Sequence, residues 1–112
     1  MEVHEVDADG ITVLEVKGRV DSTSAPALGD TLTVALASPQ KRVVVDLSGA
    51  DYVSSAGLRV LLRAANQVDQ TKGKLVLHGL NSRVEEVFEI SGFADIFTIC
   101  KTRDEALGLA GA

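Results

Sequence analysis

Apolar residues alternate with polar ones at the start of the chain, and short apolar runs recur further along it. Alternation is typical of half-buried strands, and a short β-branched run such as residues 42–47 is typical of a buried strand. Asp9-Gly10 separates the first two alternating segments and predicts a hairpin turn. The predicted strands are 2–7, 11–17, 42–47, 74–78 and 95–100.

Apolar residues at helical spacing fill the segments between these strands. The clearest stripe consists of Leu58, Leu61, Leu62, Ala65 and Val68. Its i, i+3, i+4, i+7 spacing predicts an amphipathic helix. Residues with hydroxyl side chains precede the other three helices as predicted N-caps, namely Thr23 or Ser24, then Ser82, then Thr102.

The resulting order of elements is ββαβαβαβα, with loops predicted at residues 18–22 and 48–54. Strands separated by helices predict right-handed parallel crossovers, and the opening hairpin adds an antiparallel strand. We therefore predict an α/β fold with one mixed, mostly parallel sheet and about four helices packed against it. No linker or repeat interrupts the pattern, which predicts a single domain over residues 1–112.

Composition narrows the range of partners. The 112 residues are 46% hydrophobic and 24% charged, as in an ordinary globular domain, and the net charge is -5. An acidic chain with 4% aromatic residues is a poor match for nucleic acid or for an anionic membrane surface. Without a predicted membrane span or signal peptide, we expect a cytoplasmic protein that binds proteins or small molecules. The expected state is a monomer, with a weak dimer as the alternative.

Several kinds of chemistry are excluded by inspection. The sequence contains neither the P-loop motif G-x-x-x-x-G-K-[ST] nor the dinucleotide-binding motif G-x-G-x-x-G. Two separated histidines with one cysteine do not give zinc-ligand spacing. We therefore predict no cofactor and no metal. Cys100 and His78 each lie at the end of a predicted strand, and we interpret Cys100 as an inert core residue and His78 as a partly buried structural residue.

The segment with most functional interest is Ser54-Ser55-Ala56-Gly57, at the predicted start of the second helix. Either serine is a good N-cap, and capping alone would explain one of them. The second hydroxyl is then unexplained. A glycine in the first turn costs up to about 1 kcal/mol relative to alanine, so Gly57 indicates that some group approaches the backbone closely there.

The same residues resemble a hydrolase nucleophile elbow in which valine replaces the first glycine. That interpretation would make Ser55 the nucleophile, Asp69 the acid and His78 the base. Ser55 and Asp69 lie at opposite ends of one predicted helix, roughly 20 Å apart at 1.5 Å rise per residue. A catalytic triad cannot span that distance, and we do not expect an enzyme.

Across nearly its whole length the chain resembles the STAS domain, and specifically the stand-alone anti-sigma factor antagonists. The resemblance includes Gly18-Arg19-Val20-Asp21, Asp46-Leu47-Ser48, Ser54 to Leu58 and the stretch 79–107. In such antagonists a partner serine kinase, the anti-sigma factor, phosphorylates a serine at the start of the second helix. The unphosphorylated antagonist binds that kinase and releases the sigma factor, whereas the phosphorylated antagonist does not bind.

The resemblance places the phosphorylated residue at Ser55, with Ser54 as the alternative. Ser54 stands where the family pattern has aspartate, and Ala56 stands where it has a second hydroxyl. The implied partner-binding residues are Asp21, Ser22, Ser48, Ser54, Ser55, Ala56, Gly57 and Leu58. The implied partners are an anti-sigma factor serine kinase and a serine phosphatase that reverses its action.

Two other functions fit the same resemblance. The chain is also similar to small STAS subunits of lipid-transport ABC complexes, in which this helix start would dock permanently on an ATPase. In a third interpretation the serines are caps only. Among these, the sequence favours the phosphorylation-controlled antagonist.

Overall fold

A computed structural model describes residues 1–112 and contains one five-stranded sheet with four α-helices. The strands are β1 (Glu2–Ala8), β2 (Ile11–Val20), β3 (Arg42–Val53), β4 (Lys74–His78) and β5 (Thr98–Cys100). The helices are α1 (Ala25–Leu36), α2 (Ser55–Thr71), α3 (Ser82–Ser91) and α4 (Arg103–Gly111), with a 3₁₀ turn at Ala94–Ile96. None of these helices combines the length and the apolar character needed to cross a bilayer.

The strands lie in the sheet in their sequence order, from β1 to β5. β1 pairs antiparallel with β2, and the other neighbours are parallel. Asp9 and Gly10 have positive φ angles of 54° and 87°, which suits a tight hairpin turn between right-handed twisted strands. The predicted α/β class and its opening hairpin are therefore confirmed.

Both faces of the sheet are covered. Because successive side chains of a strand point to opposite faces, Val43 and Val45 face a different layer from Val44. Helices α1, α2 and α3 cover the first face and form the larger core of 22 buried residues with it. Helix α4 covers the second face, where Ala106 and Ala110 pack on the sheet.

Strands β2 and β3 are longer than the sequence predicts, because they pair with each other beyond the end of β4. Residues 18–20 and 48–53 lie in these strands, so the loops predicted there were wrong. In the added residues, β2 and β3 pair at positions such as Arg19↔Tyr52 and Val20↔Val53. Shifts in the register mark β-bulges along this pairing. Small and acidic residues are typical of loops, but here the partner strand satisfies their backbone groups.

The ends of helix α3 and strand β5 also differ from prediction. The N-cap of α3 is Asn81 and not Ser82. The Asn81 side-chain oxygen accepts the N–H of Val84 at 2.9 Å. Its amide nitrogen also donates to the carbonyl oxygen of Ala50 at 2.9 Å, which ties the helix to β3. A serine hydroxyl is too short for both bonds. Residues 94–96 form the 3₁₀ turn, which shortens β5 to three residues.

Candidate functional site

The two adjacent serines have different roles in the structure. Ser54 is the N-cap of α2, and its hydroxyl oxygen accepts the N–H of Gly57 at 3.3 Å. Its own N–H donates to the carbonyl oxygen of Val20 at 2.8 Å, which joins the helix start to the end of β2. Ser55 is the first helical residue, and its side chain is exposed without a hydrogen-bond partner in the chain. Of the two hydroxyls, Ser55 presents the accessible one.

Gly57 lies against the end of the sheet. A Cβ atom added there would be 2.7 Å from Cγ1 of Val20 and 3.0 Å from Cγ1 of Val53. The close approach that the sequence predicts is present, but the approaching groups belong to the protein's own strands. Leu58 is 3% exposed. Gly57 and Leu58 therefore hold the first turn against the core and take no part in its accessible surface.

The loop after β2 lies beside this helix start. The carboxylate of Asp21 accepts the N–H groups of Ser24 and Thr23 at 3.2 and 3.0 Å. These two hydrogen bonds lower the pKa of Asp21 below its ordinary value. The predicted cap hydroxyl of Ser24 does not cap α1, but donates to the carbonyl oxygen of Arg19 at 3.0 Å. Asp21 is thus a fixed negative charge immediately after Val20, which is bonded to Ser54.

One predicted member of the site, Ser48, lies elsewhere. Ser48 is six residues before Ser54 on β3, which corresponds to about 20 Å along an extended strand. Its hydroxyl donates to the Asp46 carboxylate at 2.6 Å. Asp46 lies in β3, within the predicted strand 42–47, and is 9% exposed. The structure therefore does not bring Ser48 or Asp46 to Ser55, because β3 continues as a strand between them.

Asp46 belongs instead to a polar row beneath α4 that sequence reasoning missed. Strand pairing aligns Glu15, Asp46, His78 and Cys100 across β2 to β5. Arg103, the first residue of α4, donates to Glu15 Oε2 at 2.6 Å and to Asp46 Oδ2 at 2.8 Å. Only the strand register makes neighbours of these residues, so no local pattern in the sequence indicates the row.

The polar row fixes the ionisation of its members. Burial raises the pKa of Asp46, but hydrogen bonds from Ser48 and Arg103 outweigh it, so the net shift is downward. Burial lowers the pKa of His78, only partly opposed by Asp46. The Nε2 atom of His78 is buried without a hydrogen-bond partner and lies 3.8 Å from Asp46 Oδ1. Burial also raises the pKa of the Cys100 thiol. The row therefore contains one charged network next to a neutral imidazole.

The geometry does not assemble the triad considered above. His78 aligns with Asp46, which precedes Ser55 by nine residues, most of them in β3. Asp69 lies fourteen residues after Ser55 in α2. No group of three or more His, Cys, Asp or Glu side chains is arranged as metal ligands. What the helix start offers is an exposed hydroxyl on a rigid support, next to a fixed carboxylate.

Comparisons with known proteins identify the family of this small α/β module. A model of the STAS domain matches residues 4–106. BtrV of Bordetella bronchiseptica, named as an anti-sigma factor antagonist, is 45% identical over 98 residues, covering 88% of this chain and 84% of BtrV. The anti-sigma-B factor antagonist of Listeria monocytogenes is 33% identical over 108 residues, covering 96% and 94%. The chain therefore belongs to the STAS domain family.

Solved structures show the same fold. The Thermotoga maritima protein TM1081, described as an anti-sigma factor antagonist, superimposes with a TM-score of 0.90 at 18% identity, covering 98% of this chain and 95% of that one. The phosphorylated form of the Bacillus cell fate determinant SpoIIAA superimposes with a TM-score of 0.72 at 15% identity, covering 96% and 97%.

Proposed function

We propose that this protein is an anti-sigma factor antagonist in a phosphorylation-controlled partner-switching pathway. The unphosphorylated form binds an anti-sigma factor that is also a serine kinase, and the sigma factor is released. Phosphorylation of Ser55 blocks that binding, and a serine phosphatase restores it. The family membership, the names of the two relatives and the existence of a phosphorylated SpoIIAA structure support this function.

The exposed, unbonded hydroxyl of Ser55 is the observation that carries the proposal. A kinase needs a hydroxyl oxygen that can approach the γ-phosphorus of ATP in line with the leaving group. Ser55 presents such an oxygen at a helix start fixed by the Ser54 cap. Phosphorylation at Ser54 would require its oxygen to leave the N–H of Gly57. We therefore favour Ser55 over Ser54 as the acceptor.

The same position explains how a phosphate would block a partner. A phosphoserine carries about -1.5 to -2 charge at neutral pH, and the positive end of α2 tolerates it. The fixed carboxylate of Asp21 lies in the neighbouring loop. A like charge against an acidic or closely packed partner costs several kcal/mol, and about 3–4 kcal/mol corresponds to roughly 10²–10³ in affinity. A large conformational change is not required.

The direct test is phosphorylation with candidate kinases. The protein is incubated with ATP and each histidine-kinase-like ATPase from the source genome, and tryptic peptides are analysed by mass spectrometry. Cleavage after Arg42 and Arg59 gives one peptide that contains Ser48, Ser54 and Ser55, and fragment ions distinguish the three. We expect phosphate on Ser55 and none in Ser55→Ala. An ATPase that binds the protein but leaves this peptide unmodified would contradict phosphorylation control and favour permanent docking.

A further inference from the structure

The exposed face of α2 carries a basic patch that the proposed function has not used. Arg59 and Arg63, the two members of this patch, are both exposed and lie one turn apart. None of the ion pairs in the structure involves either of them. The chain as a whole has a net charge of -5. Two unpaired arginines side by side are therefore a local departure from the protein's acidic character.

The basic patch borders a groove between α1 and α2 with a volume of about 340 Å³. The groove wall includes the small residues Ala25, Gly29, Ala56 and Ala64. Asp30 is the only acidic residue that lines it, so two arginines against one aspartate leave a local charge of +1. The groove thus combines a wall that includes small side chains with a basic border formed by Arg59 and Arg63.

The groove is continuous with the first turn of α2. Ser22, which follows Asp21 in the loop after β2, lines the groove, and so does Ala56, which follows Ser55. Ser55 and Arg59 are four residues apart on α2, which places their Cβ atoms about 6 Å apart on one helix face. A partner that covers Ser55 would therefore also meet Arg59 and the groove.

The proposed switch restricts the chemistry of the partner surface that faces Ser55. A phosphate on Ser55 would strengthen binding to a basic surface, and weakens binding only where the facing surface is acidic or tightly packed. We infer that the α1–α2 groove docks an acidic segment of the anti-sigma factor, whose carboxylates pair with Arg59 and Arg63. This inference rests on the proposed function. A phosphate on Ser55 then acts in two ways, since it repels those carboxylates and competes with them for Arg59.

Charge complementarity selects this occupant over others. Arginine pairs well with carboxylates, and two arginines one turn apart match acidic residues at similar spacing. Asp21 precedes Ser22, which lines the groove, and has the opposite charge, so a partner meets one acidic and two basic side chains, and this pattern restricts its orientation. A second copy of the chain is the competing acidic occupant. Concentration-dependent self-association would reveal it.

The test measures the affinity of the anti-sigma factor ATPase identified by phosphorylation, using isothermal titration calorimetry at two salt concentrations. The test variant is Arg59→Glu/Arg63→Glu. The matched control is Arg83→Glu/Lys101→Glu, which has the same net charge and changes exposed residues away from the groove. We expect the test variant to bind about 100-fold more weakly than wild type. Arg59→Ala/Arg63→Ala should bind about 10-fold more weakly, and its affinity should depend less on salt than that of wild type. The control should remain within about 2-fold of wild type.

Ser55→Asp, measured in parallel, separates the docking inference from the proposed function. If Ser55→Asp loses binding while the arginine variants bind like wild type, the docking inference is wrong and the proposed function stands. If Ser55→Asp binds like wild type, the proposed function itself fails. Equal weakening of the test variant and its control would show that only net charge matters and would overturn the docking site. Sedimentation that shows a wild-type dimer disrupted by the arginine variants would assign the groove to a second copy instead.

Discussion

The hydroxyl oxygen of Ser54 accepts the backbone N–H of Gly57 at 3.3 Å, at the first turn of α2. This bond gives one serine of the pair a structural role and leaves its neighbour Ser55 exposed. The contacts of the helix start with β2 and β3 therefore do not depend on the side chain of Ser55. A modification at Ser55 changes the charge of the surface without removing the cap beneath it.

Removing the cap should cost stability, whereas removing the neighbouring hydroxyl should not. We expect Ser54→Ala to lower the free energy of unfolding by about 1 kcal/mol, since the N–H of Gly57 loses its partner. Ser55→Ala should change it by less than about 0.5 kcal/mol, because that side chain is exposed and unbonded. Urea denaturation followed by circular dichroism measures both. Equal losses in the two variants would contradict the assignment of Ser54 as the cap.

A negative charge at Ser55 should block the partner. We expect Ser55→Asp to weaken binding of the anti-sigma factor by roughly 10²–10³, and Ser55→Ala to bind like wild type but to resist inactivation by the kinase with ATP. Ser82→Asp is the matched control, because Ser82 is the exposed first residue of α3. It should bind normally. Tight binding by Ser55→Asp, measured by calorimetry, would refute the switch.

Gly57 should not tolerate a methyl group. The added Cβ of Gly57→Ala would lie 2.7 Å from Val20 and 3.0 Å from Val53, and overpacking of this kind costs about 1–3 kcal/mol. Val20→Ala in the same chain should recover part of that loss. Gly108→Ala, in α4 with no atom within 4 Å of its added Cβ, should instead gain about 0.5–1 kcal/mol. Thermal unfolding compares the variants, and an unchanged Tm for Gly57→Ala would be inconsistent with this packing.

The contact of Arg103 with Glu15 and Asp46 should hold α4 on the sheet. We expect Arg103→Met to destabilise the protein by about 1–3 kcal/mol, because the largely buried Asp46 loses its positive partner. Arg83→Met removes an exposed arginine without an ion pair and should be nearly neutral. Hydrogen exchange of α4 amides should rise in Arg103→Met alone. Unchanged α4 protection in that variant would mean that apolar packing alone holds the helix.

His78 should make stability depend on pH below neutrality. Its folded-state pKa lies below the ordinary value of about 6.5. The unfolded chain therefore takes up a proton first as pH falls, and stability decreases from about pH 6.5 down to the folded-state pKa, by at most about 1.4 kcal/mol per pH unit. His78→Gln should flatten the slope between pH 7 and 5. Urea titrations at several pH values measure how the free energy of unfolding depends on pH. If His78→Gln depends on pH as steeply as wild type, His78 does not cause the dependence.

Local sequence signals predicted the fold well wherever neighbouring residues suffice. The Asp9-Gly10 turn, the apolar stripe of α2 and the Thr102 cap of α4 each depend on residues within one or two turns. The loop predictions failed where distant strands decide the outcome. Ser48 to Val53 look like a loop by composition, but pairing with β2 makes them strand.

In the candidate site, too, local sequence signals predicted some features and the tertiary structure decided the others. The sequence located the two serines at a helix start, but both could cap the helix equally well. Their separation into a cap and an exposed residue depends on how α2 meets β2 and β3. Arg59 and Arg63 carried no motif, and their significance depends on the groove beside α1 and on the absence of ion-pair partners.

The sequence by itself determined the order of elements, the hairpin, the buried strands and the serine-bearing helix start, because hydrophobic spacing and turn chemistry act over short distances. Only the tertiary structure decided which serine is accessible, where β2 and β3 end, and that Glu15, Asp46, His78 and Arg103 meet under α4. Strand register and helix docking set these relationships. Both bring together residues far apart in the chain, and so they leave no local pattern to find.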